Sequence, residues 1–216
     1  MADYKTILAP GEASFTIQRS RFLTHTAPAA GEAEAQAFLL QIRKRYYDAR
    51  HHCSAWVLGE DGSRQKSNDD GEPGGTAGAP ILEAIRQNGL TNLIVVVTRY
   101  FGGIKLGAGG LVRAYSHAAA LGLAASPQAR MTAFRRAAVT IAYPLLGTLE
   151  NWLRQKNIRV ENKFYAADVT LILLLEPETL PEITAGITDL MAARCAIRLQ
   201  DEIRLPVALP ARESQA

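Results

Sequence analysis

Two hydrophobic periods alternate along the chain. Val139, Ile141 and Tyr143 are interleaved with smaller residues, the two-residue period of a strand. Pro144 suits the first turn of a helix, where its missing N–H is not needed. Leu145, Leu149, Trp152 and Leu153 then fall on one helical face. Ile158, Val160 and Phe164 mark a second strand, and Val169, Leu171, Leu173 and Leu175 a third. Leu180, Ile183, Ile187 and Leu190 return to the helical period, and Ile197, Leu199 and Ile203 alternate as a last strand. The order βαββαβ predicts a ferredoxin-like domain, a platform that names no function by itself. From Pro206 onward the chain is short and polar and is expected to fray.

The earlier part is less regular. Phe15, Ile17 and the segment Arg21–Thr26 predict an opening hairpin. Glu32–Tyr47 predicts a helix that buries Phe38, Leu39, Ile42 and Tyr46. Cys53–Leu58 reads as a strand closed by a turn at Gly59–Gly62. Pro80–Asn88 reads as a short helix, started by proline and stopped by Gly89. The unbroken apolar run Leu93–Thr98 predicts a central strand covered on both faces. Ala108–Ala125 is a long helix of small residues. Composition breaks at Ala124–Gln128, which places a domain boundary there: residues 1–127, 128–205, and a flexible tail 206–216. Strands and helices occur in both parts, so the class is α+β.

With 48% hydrophobic and 21% charged residues, the chain can bury an ordinary core, which excludes a disordered protein. Its longest apolar runs, such as Leu171–Leu175, cannot span a bilayer. The N-terminus has Asp3 and Lys5 and no apolar signal core. Cys53 and Cys195 have no paired spacing, which fits a reducing compartment. These features predict a cytoplasmic protein without a membrane partner. The net charge of +3 changes the picture only through its distribution. Residues 1–130 hold 14 Lys+Arg against 11 Asp+Glu, whereas residues 131–216 hold 10 of each. The excess positive charge lies in the first part, where it would suit a phosphate-rich partner.

Two blocks carry the candidate chemistry: NDDGEPGGTAGAP at Asn68–Pro80 and RYFGGIKLGAGGLVRAY at Arg99–Tyr115. Each is a glycine-rich loop feeding a helix, where unpaired N–H groups and the helix dipole favour anions. Arg99, Lys105 and Arg113 would reinforce that field. The Walker A pattern fails because Gly107 is followed by Ala108 rather than lysine, and the dinucleotide fingerprint fails at Val112. Asp69, Asp70 and Glu72 would suit a hard cation, but three acids in four residues also describe a solvated loop. His51-His52-Cys53 lacks the four ligands of a structural zinc site. A Cys53 nucleophile beside histidine is weighed against a small core residue, and the core reading is preferred. No catalytic set, metal or cofactor is predicted. The candidate partner- or anion-binding residues are Asp69, Asp70, Glu72, Gly75, Thr76, Gly78, Arg99, Tyr100, Gly102, Gly103, Lys105, Gly109, Arg113 and Tyr115, with His52 and Cys53 as extras.

The strings DDGEPGGTAGAP at Asp69–Pro80 and RYFGGIKLGAGGLVRAY at Arg99–Tyr115, preceded by HHC at His51–Cys53, resemble the YigZ/Impact family. The βαββαβ part is similar to the smaller C-terminal domain of its bacterial members. The resemblance implies a first domain with the fold of the second domain of ribosomal protein S-five, and a ferredoxin-like second domain. It also implies kinship with translation regulators, since eukaryotic Impact proteins compete for an activator of a stress-responsive kinase. The expected function is a translation-associated regulatory protein, not an enzyme, that binds RNA, the ribosome or a translation-related partner. The alternative is an enzyme that acts on a phosphorylated or nucleotide-like small molecule through the glycine-rich loop.

Overall fold

The computed structural model describes residues 3–209. They form two compact units, one of residues 132–205 and the other of residues 3–131 with 206–209.

The first unit opens with β1 (Tyr4–Ile7), which pairs antiparallel with residues 128–131. A hairpin follows, β2 (Gly11–Ile17) and β3 (Ser20–Pro28), then α1 (Glu32–Arg45), β4 (His51–Leu58) and β5 (Arg64–Asn68). After these come α2 (Gly78–Gln87), β6 (Leu93–Tyr100) and α3 (Gly107–Ala124). The sheet order is β2-β3-β6-β4-β5, antiparallel throughout. The run in β6 is central because it is apolar on both faces. Leu93, Val95 and Val97 pack with Phe22, Cys53 and Val57 under α2 and α3. Ile94 and Val96 pack with Ala27, Leu58 and α1 residues Ala35 and Ile42 on the other face. Two strands have no signal in the pattern. β5 reads RQKSN and is exposed throughout, and β1 is four residues long.

The second unit follows the predicted βαββαβ order. It comprises β7 (Gln128–Ile141) from residue 132 on, α4 (Leu146–Gln155), β8 (Arg159–Tyr165), β9 (Val169–Leu175), α5 (Leu180–Leu190) and β10 (Cys195–Ala208) as far as residue 205. Sheet neighbours run β10-β7-β9-β8, so the third strand is inserted between the first and second. Val139, Ile141, Leu171 and Leu173 face Leu149, Leu153, Ile183 and Ile187.

Three details differ from the pattern. Tyr143 is not in a strand but begins a 3-10 turn, Tyr143–Leu145, because Pro144 fixes the backbone there. Pro206–Ala208, expected to fray, belongs to β10, and the Leu209 N–H donates to the Gln128 carbonyl at 3.1 Å. The rest of that tail, residues 210–216, lies outside the described residues. The two units meet in sequence between residues 131 and 132, a few residues beyond the compositional break.

Candidate functional site

The two glycine blocks are brought to one end of the first sheet by strand register. Arg99 sits opposite His51 on β4 and Phe22 on β3, and Tyr100 opposite Arg21. The loop before α2 covers this end through its three acids, each of which is committed to the fold.

Asp69 caps α2. Its Oδ1 accepts the N–H groups of Ala77 (3.0 Å) and Gly78 (2.8 Å), and its Oδ2 accepts that of Gly75 (2.9 Å). Burial pushes this carboxyl up, but the three N–H donors together outweigh it and hold the pKa below the usual range. Asp70 joins three elements. Its Oδ1 accepts from Arg43 on α1 at 2.5 Å, its Oδ2 from the His52 N–H at 2.7 Å, and its carbonyl from His51 Nδ1 at 2.9 Å. Gly78 lets the loop lie on β5, since a Cβ there would stand 2.7 Å from the Asn68 nitrogen. The Thr76 hydroxyl donates back to the Pro73 carbonyl at 2.7 Å, which closes the loop.

Glu72 is buried and makes the centre of a polar chain. Its Oε1 accepts from Arg99 at 2.7 Å and from the Tyr115 hydroxyl at 2.7 Å. The two charged side chains are 4% and 6% exposed, so this is an ion pair out of water. The Arg99 guanidinium lies 5.5 Å from the ring centres of Phe22 and Phe101, and its Nη2 reaches Ser20 Oγ at 3.4 Å. Cys53 Sγ lies 3.3 Å from the Tyr115 hydroxyl and 3.0 Å from the Asp69 carbonyl. Burial pushes the Cys53 thiol up to about 12, with Tyr115 only partly opposing it. A thiol so protonated and buried is no nucleophile near neutral pH. Burial likewise pushes the Tyr115 hydroxyl well above its ordinary range. Among the described residues, no three His, Cys, Asp or Glu side chains are placed to share a metal ion.

A cleft of about 400 Å³ opens beside this chain, lined among others by Arg50, His51, Glu72, Phe101, Lys105 and Gly107. The start of α3 forms one wall. Its first turn, Gly107-Ala108-Gly109-Gly110, has neither an acidic residue nor a side-chain cap, so its N–H groups are left unpaired. Gly102 sets the approach of the loop to the β2–β3 turn. A Cβ there would fall 2.0 Å from the Arg19 carbonyl carbon.

The structure therefore divides the predicted residues into four sets. Asp69, Gly75, Thr76 and Gly78 build the α2 cap and its loop. Glu72, Arg99, Tyr115 and Cys53 form the buried chain. Gly102, Gly103, Lys105, Gly109 and Arg113 belong to the loop and first turns of α3. Asp70 and His52 tie the loop to α1 and β4, and His52 Nε2 donates to the Tyr46 carbonyl at 3.0 Å. Tyr100 points elsewhere, its hydroxyl donating to Asp48 at 2.7 Å. Ser20, Arg43 and Arg50 lie outside both glycine blocks and are brought to the site by pairing and packing. Only the surplus of lysine and arginine in this part of the chain hinted at Arg43 and Arg50.

The comparisons with known proteins agree with both units. The Impact N-terminal domain family matches residues 18–123, and a domain of unknown function (DUF1949) matches residues 139–194. The chain is 40% identical over 194 residues to the IMPACT family member YvyE of Bacillus subtilis, covering 87% of this chain and 89% of that protein. It is 38% identical over 175 residues to YigZ of Escherichia coli, covering 80% and 86%. A solved structure of a hypothetical protein, 34% identical, superposes with a TM-score of 0.60 over 93% of this chain and 98% of that one.

Proposed function

The chain belongs to the IMPACT family, and on that premise we propose that it is a translation-associated regulatory protein whose first unit binds RNA. One observation carries the reading. Arg19, Arg21, Arg50, Lys105 and Arg113 are all exposed at one end of the sheet and the start of α3. Among the described residues none of the five has a carboxylate within ion-pair reach. Several other cations in this unit are matched, as in Arg43–Asp70, Arg45–Glu12 and Lys66–Glu32. The acids at this end are already engaged: Asp69 and Asp70 in the loop, Glu72 with Arg99, and Asp48 with Tyr100. Unpaired cations beside an uncapped helix start favour phosphate. Exposed Phe101 (47%) and Ile104 (43%) add apolar surface on which bases can rest.

The same features oppose catalysis. The three acids and Cys53 are held by structural hydrogen bonds, and His51 at the cleft is tied through Nδ1 to the Asp70 carbonyl. Binding should therefore weaken with salt as counterions are released, with a slope of roughly −0.7 per phosphate contacted on a single strand. Filter binding of single-stranded RNA between low and moderate salt tests this. Lys105→Gln and Arg113→Gln should each lower the slope by about one unit or less. RNA binding that is absent at every salt concentration, or indifferent to salt, would remove the reading. A second reading, action on a phosphorylated small molecule, draws on the cleft alone, whose volume falls in the range of small-ligand pockets. Turnover of a phosphorylated compound by the wild type would favour it.

A further inference from the structure

Phe101 is an exposed aromatic held in a fixed place. It is the first residue after β6, in the loop that leads to α3, and 47% of its surface is exposed. The backbone is pinned on both sides of it. Tyr100 still pairs with Arg21 in the sheet. Gly102 donates its N–H to Ser20 Oγ at 3.3 Å and lies against the β2–β3 turn, where a Cβ would fall 2.0 Å from the Arg19 carbonyl carbon. The ring rests on the Arg99 guanidinium, which lies over both Phe101 and the buried Phe22, 5.5 Å from each centroid. Arg99 is itself 6% exposed and held by Glu72 at 2.7 Å. A series of flat groups thus leads from Phe22 through Arg99 to Phe101 at the surface. Burying half a ring contributes little to the core, yet the fold holds that ring at three points. Its ordering is complete before a ligand arrives, so stacking on it costs little further entropy.

A rigid exposed ring can anchor a flat group or an apolar protein surface, and the charge around it selects between them. Arg50 and Lys105 line the same cleft as Phe101, and Arg19 and Arg21 lie in and beside the β2–β3 turn that Gly102 touches. All four are exposed, and among the described residues none pairs with a carboxylate. A polyanion that carries flat groups matches both features, whereas an apolar protein surface would leave the four cations unmatched. We propose that Phe101 is the stacking platform for an unpaired base of single-stranded RNA, with the adjoining phosphates on the surrounding cations. A base inside a duplex has both faces covered by its neighbours and cannot rest on the ring, so the platform selects single strands. Every base has a π-face, so it holds any of the four. The proposal rests on the RNA-binding reading of this surface and adds the part of the RNA that is held and the residue that holds it.

The test uses the full chain, a short single-stranded RNA and the same RNA annealed to its complement, with binding read by fluorescence anisotropy. Stacking of one base on an aromatic ring corresponds to about tenfold in affinity. Phe101→Ala should therefore weaken single-strand binding about tenfold and leave duplex binding unchanged. Phe101→Leu, apolar but not flat, should lose as much, and Phe101→Trp should retain the wild-type affinity. The ring carries no charge, so the salt slope should be the same in Phe101→Ala as in the wild type. Phe164→Ala, which removes an aromatic of similar exposure from β8, should change nothing. In Phe101→Trp the added indole fluorescence should fall on saturation with the single strand and not with the duplex, a readout that does not depend on the truncated variants. Single-strand affinity within about twofold of wild type in both Phe101→Ala and Phe101→Leu overturns the proposal and leaves RNA binding standing. An equal loss on single strand and duplex overturns it as well. If the wild type binds neither RNA at any salt concentration, both readings fall together.

Discussion

The Glu72–Arg99 pair allows a sharp test of how the site is built. Both side chains are almost fully buried, 4% and 6% exposed, and the carboxylate has a second donor in Tyr115. Arg99→Met keeps much of the apolar stem but leaves the Glu72 carboxyl without its cation and with Tyr115 as its one donor. Removing one member of a buried pair costs about 3–5 kcal/mol. For a protein of this size that lowers the melting temperature on the order of 10 °C. In Glu72→Gln/Arg99→Met the charge is gone and the amide oxygen still accepts from Tyr115. The double variant should therefore be more stable than Arg99→Met alone, with a coupling of roughly 2 kcal/mol. Urea unfolding followed by Trp56 fluorescence in a Trp152→Phe background reports on the first unit, because Trp56 lies on β4 and Trp152 on α4. If Arg99→Met costs under about 1 kcal/mol, or the double variant loses the sum of the two single losses, the pair is not the coupled, desolvated unit described here.

Further outcomes follow from the same geometry. Asp69→Ala should cost about 1–2 kcal/mol by uncapping α2, measured by urea unfolding. The Asp69 pKa is lowered by folding, so its charge stabilises the fold above the ordinary aspartate range and that contribution is lost as pH falls through the folded value. Asp69→Asn should therefore differ most from wild type above about pH 4 and converge with it in stronger acid. Gly102→Ala should destabilise by roughly 1–3 kcal/mol and weaken RNA binding, because its Cβ would collide with the Arg19 backbone; a melting curve that matches wild type would contradict this. In a thiol-reagent time course on native protein, Cys195, half-buried, should react well before Cys53, whose thiol is buried and pushed up to about 12. Fast modification of both thiols would show that the Cys53–Tyr115 chain opens readily.

The sequence by itself determined the elements whose residues repeat with a clear period. The βαββαβ unit and the doubly buried strand β6 could be read because apolar side chains at spacings of two, or of three and four, can be buried only one way. The long strings at Asp69–Pro80 and Arg99–Tyr115 likewise marked the family. Strand β5 could not be read, since RQKSN is polar throughout and is held by backbone pairing to β4. Nor could the roles of the acids. Asp69, Asp70 and Glu72 are neighbours of similar chemistry, yet one caps a helix, one bridges Arg43 and the His52 backbone, and one is buried against Arg99 and Tyr115. Those partners lie up to 43 residues away in the chain, and only tertiary packing decides which donor reaches which oxygen. The same packing pairs Arg99 with Glu72 while Arg50 and Lys105 at the cleft have no carboxylate partner among the described residues, a division of charge that depends on distance in space and is invisible in the order of residues.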